Sequence, residues 1–211
     1  MRKRDKIKIY IHALVFSPAL RLYFSIFLGL VVNVIYIVSN LHTALIHRSF
    51  WSSAVIVYYL MFILLRLYLL HARGKDEHTV LRSCLTVGIL LLILTALAGV
   101  IIAHSVINDN SSRYSGFVLI GFFIYTVYAL TSSLLGMKKW LNDNQPLHFA
   151  ARSVTFAAAL MSVFNLQYSL LTSLGLSEII LKRANALGGF SVFFLIMLLG
   201  VSLIFKSIKR L

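Results

Sequence analysis

Six residues combine a hydrogen-bonding side chain with a place deep inside an apolar run: Asn33, Thr95, Tyr125, Tyr128, Ser162 and Asn165. Amides and hydroxyls at such depth are beyond bulk water, so protein, bound water or a ligand must satisfy them. Their chemistry is neutral. It suits an uncharged polar solute, or the glycerol and headgroup region of a lipid. A second set is cationic. Arg21, Arg66, Arg82 and Arg152 lie toward the inner ends of apolar runs. Two readings are open there: guanidinium groups snorkelling to phosphate headgroups as topology signals, or an anion or lipid-phosphate site using arginine's forked donors. Arg66 differs from the other three, because Leu64, Leu65, Leu67 and Tyr68 surround it in sequence.

Carboxylates are missing from these runs. The acidic residues are Asp5, Asp76, Glu77, Asp109, Asp143 and Glu178, and each falls between or outside the apolar segments. Proton-coupled carriers and cation pores place carboxylates at membrane depth to compensate a desolvated charge, so coupling of that kind is not expected. Enzyme signatures are absent as well: no intramembrane aspartate pair, no His-Glu-x-x-His helix, no G-x-S-x-G turn and no G-x-x-x-x-G-K-[ST] phosphate loop. The single cysteine, Cys84, excludes an internal disulfide and a thiolate metal cluster. His42, His47 and His104 with Asp109 would make at most a weak outer-face metal site, and solvated loop histidines are the simpler reading. No catalysis, no cofactor and no metal are expected.

Such interior polar groups need apolar helices to carry them. Residues of the AVILMFWYC set make up 60% of the chain and charged residues 12%, with a mean hydropathy of +0.90. A soluble globule holds roughly 45–50% apolar and about 25% charged residues. A membrane helix needs roughly 20 apolar residues. Six stretches qualify, near Ala19–Leu41, Ser52–Leu70, Leu81–Ile107, Gly116–Leu135, Phe149–Leu174 and Gly189–Phe205. Continuous apolar runs exclude a β-barrel, which needs short alternating segments. Pro18 and Pro146 suit the first turn of the first and fifth helices. With the N-terminus inside, every Lys and Arg falls on the inner side except Arg48, Arg113, Lys182 and Arg183, so both termini are expected in the cytoplasm. The formal charge of +14 is divided into short clusters flanking apolar spans. That is the pattern of contacts with anionic lipid headgroups on the cytoplasmic side, not of nucleic-acid binding. Residues 1–17 are read as a basic interfacial helix on the inner leaflet, ahead of a six-helix domain over 18–211.

The fifth span carries the clearest pattern. Ala151, Thr155, Ala158, Ser162, Asn165, Ser169 and Thr172 share one helix face that runs about 32 Å, the hydrocarbon thickness. Such a stripe either packs closely against other helices or lines a polar cavity. Both put the fifth helix in the bundle centre, with Val154, Met161 and Phe164 behind it against lipid or larger neighbours. Ser25, Gly29, Asn33, Tyr36 and Asn40 repeat the theme in the first span; Gly121, Tyr125, Tyr128 and Ser132 do so in the fourth. Arg21, Arg82 and Arg152 each precede a mid-span polar residue by a similar distance, namely Asn33, Thr95 and Asn165. This is compatible with three repeated helical hairpins. Apolar sequences also match one another by chance, and plain six-helix packing is the expectation taken forward.

The run Ala157-Ala158-Ala159-Leu160-Met161-Ser162-Val163-Phe164-Asn165-Leu166-Gln167 resembles a segment of small, uncharacterised six-span membrane proteins of Gram-positive bacteria. The resemblance implies a six-span layout in a bacterial cell membrane and brings no activity, ligand or catalytic residue with it. The sequence thus points to an all-α membrane bundle with a neutral polar interior, a small transporter, channel or solute-binding protein. The alternative is a non-catalytic module that binds lipid, assists assembly, or serves as a partner subunit or homo-oligomer.

Overall fold

The computed structural model describes residues 18–47, 50–107, 116–142, 146–174 and 177–211, apart from some side chains within the helices. These residues form six α-helices and no strand: α1 Pro18–His47, α2 Phe50–Ala72, α3 Glu77–Ile107, α4 Gly116–Asn142, α5 Pro146–Ser173 and α6 Glu178–Ile208. The basic segment 1–17 lies outside the described residues. Long apolar runs favour helices because a helix satisfies its backbone groups internally, without water. Pro18 and Pro146 each occupy the first helical position, where a missing N–H removes no helical bond. Between α2 and α3 the chain turns at Gly74, whose φ of 79° is the left-handed conformation that glycine adopts without strain. Asp76 then caps α3, its carboxylate accepting from the Thr79 backbone N–H at 3.0 Å and from the Thr79 hydroxyl at 2.8 Å.

Four helices, α2, α3, α5 and α6, are long and apolar enough to cross a membrane. The described parts of the other two give shorter apolar helices, Ile26–Leu41 and Phe123–Met137. Large apolar side chains such as Phe27, Val38, Leu64, Ile93, Phe123 and Phe205 face outward on all of α1, α2, α3, α4 and α6. An apolar exterior over buried polar groups is compatible with a membrane-embedded protein.

α5 touches all five other helices and is the most deeply buried of the four long apolar ones. The most extensive seam joins α3 to α6, followed by α4 with α5 and α1 with α2. Glycine permits the close approach of α3 and α6: a Cβ on Gly88 would lie 3.2 Å from the Gly200 carbonyl oxygen, and one on Gly200 would lie 3.2 Å from that of Gly88. Two sequential pairs, α1 with α2 and α5 with α6, pack together, but α3 and α4 do not form a comparable seam. α3 takes α6 as its main partner and α4 takes α5, with Gly88 and Gly200 at the α3–α6 contact. The last helix also begins well before Gly189. Gly188 and Gly189 are interior positions, pressed against Gln167 and Ile102, and the polar lead from Glu178 is helical, with Lys182 paired to Glu178 at 2.5 Å one turn away.

Candidate functional site

Four helices meet at a buried group of hydroxyls and amides. Ser162 of α5 is its hub. Its Oγ is hydrogen-bonded to the Tyr36 hydroxyl of α1 and lies 2.6 Å from Thr126 Oγ1 of α4. The Tyr36 ring stacks on Tyr59 of α2, with centroids 4.4 Å apart and planes 7° from parallel. One turn along α5 from Ser162, Asn165 donates through Nδ2 to the Tyr59 hydroxyl at 3.1 Å. Two successive polar positions of α5 therefore hold a stacked tyrosine pair contributed by α1 and α2. Trp51 packs on Tyr168 and Phe164 farther along. Tyr58 sits edge-on to Tyr59 and Phe62.

The group is only partly satisfied from within. Asn33 is fully buried, and neither its Nδ2 nor its Oδ1 has a hydrogen-bond partner. The same holds for Asn165 Oδ1, the hydroxyls of Tyr58 and Tyr125, and all three guanidinium nitrogens of Arg66. A buried polar atom without a partner costs about 1–3 kcal/mol, and a charged one more.

Arg66 is 1% exposed. Its guanidinium occupies the space that a Cβ on Gly29 would need, so glycine at this point of α1 is what seats it. The register is consistent across the seam: moving seven residues from Tyr36 to Gly29 in α1, and seven from Tyr59 to Arg66 in antiparallel α2, shifts both helices by about 10 Å. Asn33 lies between the two levels on the same face of α1.

The remaining sequence candidates scatter. Thr95 is buried in α3, but its hydroxyl donates to the Leu91 carbonyl one turn back, at 2.8 Å. Tyr125 is buried beside Thr126, whereas Tyr128 is 39% exposed on the outside of α4. The interior face expected for Tyr128 is therefore wrong. The buried edge of α4 runs through Tyr125, Thr126, Ala129, Ser133 and Met137, and Tyr128 projects to the other side of it. The four arginines do not converge either. Arg82 is exposed, and the side chain of Arg21 lies outside the described residues. Arg152 is buried between α4 and α5, where its Nη1 donates to Ser132 Oγ at 2.8 Å and its aliphatic stem lies against Gly136. With Arg66 in the α1–α2 seam, the interior also carries a cation, so it is not neutral as the sequence led us to expect.

Tyr59, Thr126 and Tyr58 escaped the sequence reading. A detectable signal was there: Tyr58-Tyr59 falls in the middle of the second span, away from the interface where membrane tyrosines usually sit. Asn185 of α6, also buried with an unpartnered amide, was read as outside the last span. His42, His47 and Asp109 of the weak metal reading lie outside the described side chains, and among the described residues no three His, Cys, Asp or Glu come together. Separately, an apolar crevice of about 400 Å³ opens between α3 and α6, lined by residues including Gly99, Ile102, Val106, Phe190 and Phe193.

Comparison with known proteins finds no matching family, no similar curated protein and no similar solved structure. The fold and site define an all-α bundle, apolar outside in a way compatible with a membrane and polar at its centre. Its function is read from that centre.

Proposed function

We propose that this chain is a six-span protein of the cell membrane, with both termini in the cytoplasm, which binds a small polar ligand at the centre of its bundle without catalysing a reaction. Transport of that ligand is the further step we assign to it. The observation that carries the reading is the half-satisfied polar interior: Ser162 and Asn165 hold Tyr36, Tyr59 and Thr126 in place, while Asn33, Asn165 Oδ1, Tyr58 and Tyr125 keep unused hydrogen-bonding capacity within the bundle. Preorganised groups with spare donors and acceptors in an apolar surround are what a ligand site requires.

The test is what the purified protein retains. Mass spectrometry of small molecules released from wild type should show a polar compound that the Asn165→Leu protein lacks, with the melting temperature of the variant lowered by only a few degrees. Loss of stability with no change in retained solute would refute ligand binding.

That second outcome belongs to the alternative, a non-catalytic membrane module, which also has an observation in its favour. Much of the interior hydroxyl chemistry is used locally: Thr155 donates to the Ala151 carbonyl, Thr172 to that of Tyr168 and Ser133 to that of Ala129. A seam of small residues closed by such bonds serves helix packing.

Topology is checked independently. Cys84 is buried and provides a silent background for labelling. A membrane-impermeant maleimide should label Ser177→Cys in intact cells and leave Asp76→Cys unlabelled until the membrane is opened. The reverse pattern would invert the assigned orientation.

A further inference from the structure

Among the described residues nothing answers the charge of Arg66. Arginine remains protonated in proteins, so this buried guanidinium carries a full positive charge into the α1–α2 seam. Of the acidic residues whose place is described, Asp76 and Glu77 are exposed at the α2–α3 turn, and Glu178 pairs with Lys182. Among the described residues no carboxylate neutralises Arg66, and its Nε, Nη1 and Nη2 have no partner. An unpaired charge buried in this way is strongly unfavourable unless an anion answers it. Asn33, one turn along α1 from Gly29, adds an amide with both heteroatoms unused.

We propose that Arg66 and Asn33 form a binding site for a phosphate oxyanion. The proposal rests on the ligand-binding reading above and names the charged part of what is bound. A guanidinium fork matches two phosphate oxygens, and the Asn33 Nδ2 group supplies a further donor. The level of the site favours phosphate. Arg66 lies about 9 Å along α2 from its last residue, Ala72, which sets the guanidinium toward one end of the bundle and away from its middle. On the outer side of α1, Phe27, Val31 and Val34 present exposed apolar surface on which acyl chains can lie. The phosphate has two sources, the phosphodiester of a membrane lipid or a free inorganic or solute phosphate, and both offer the same oxygens.

The experiment uses the full chain in maltoside detergent and phosphate-free buffer. Thermal unfolding is followed with inorganic phosphate, against chloride at equal ionic strength, and with phosphatidylglycerol, against diacylglycerol. At a hundredfold excess over Kd, occupancy raises the midpoint by roughly 5 °C or more. A rise with phosphatidylglycerol alone assigns the lipid source; a rise with inorganic phosphate assigns the free anion. In either case Arg66→Gln must abolish it. Arg66→Lys keeps the charge but not the fork, and should raise the half-saturating concentration about tenfold; it carries the comparison if Arg66→Gln does not fold. No rise in either arm, or an undiminished rise in the substituted proteins, overturns the proposal. Silence in both arms with a neutral solute retained removes the phosphate site alone; silence with nothing retained removes the broader reading too.

Discussion

Gly29→Ala is expected to destabilise the protein by about 1–3 kcal/mol, and Arg66→Met to remove most of that cost. The sign is what makes the first change informative. Inside a helix, replacing glycine with alanine normally stabilises by roughly 0.5–1 kcal/mol, because alanine loses less backbone freedom on folding. At Gly29 the new methyl meets the Arg66 guanidinium, which already fills that space. The guanidinium must move within a seam where no described residue hydrogen-bonds to it. Arg66→Met keeps a long flexible side chain without the charge. By analogy with buried ion pairs replaced by apolar residues, it should itself be neutral or stabilising in phosphate-free detergent, by up to about 4 kcal/mol. In that background Gly29→Ala recovers the ordinary helix gain of alanine over glycine. Melting of wild type, the two single variants and the double variant gives the coupling, expected at roughly 1–3 kcal/mol. Strict additivity, or stabilisation by Gly29→Ala alone, would show that the guanidinium does not rest on α1.

The helices were legible in the sequence because a long apolar run with proline at its head has few other ways to satisfy its backbone. The polar face of α5 was legible for a related reason: Ser162 and Asn165 recur at helical spacing among alanines, and a period is a property of one segment. What belongs to two segments was not. That Arg66 meets Gly29, or that Tyr36 stacks on Tyr59, depends on the register of α1 against α2, and neither segment encodes that register alone. The pairing of α3 with α6 is of the same kind. Gly88 and Gly200 stand more than a hundred residues apart, and each glycine by itself reads as a helix tolerating a poor helix former. Tyr128 shows how narrow the margin is. It shares a 3–4 spacing with Tyr125, yet the buried edge of α4 follows Thr126 and Ala129 instead, so a small rotation of the helix decides which tyrosine enters the bundle. The sequence left the back of α5 open between lipid and protein for a chemical reason. Val154, Met161 and Phe164 are as apolar as a lipid tail, so their composition cannot say whether protein or lipid lies against them.

In the structure protein does, and the consequence is measurable. Val154, Met161 and Phe164 are all fully buried, which encloses α5 there as well as along its small-residue stripe, while Leu170 near its end is half exposed. Ala158→Leu adds volume where neighbouring helices already lie in contact, and should cost about 1–3 kcal/mol through forced rotamers and helix displacement. Met161→Ala removes packed atoms from the flank of that stripe, about 60° around the helix from Ala158, and should cost about 2–5 kcal/mol if the space cannot collapse. A helix at the edge of a bundle would behave differently. Lipid would fill the space behind Met161, and only the stripe would be sensitive. Val127→Ala on the exposed side of α4 supplies that comparison, with an expected change within about 0.5 kcal/mol. Denaturation of the three variants in one detergent decides the matter. Met161→Ala as mild as Val127→Ala would place lipid against α5 and withdraw it from the bundle centre, and the polar group built on Ser162 and Asn165 would then lose the enclosure on which its ligand chemistry depends.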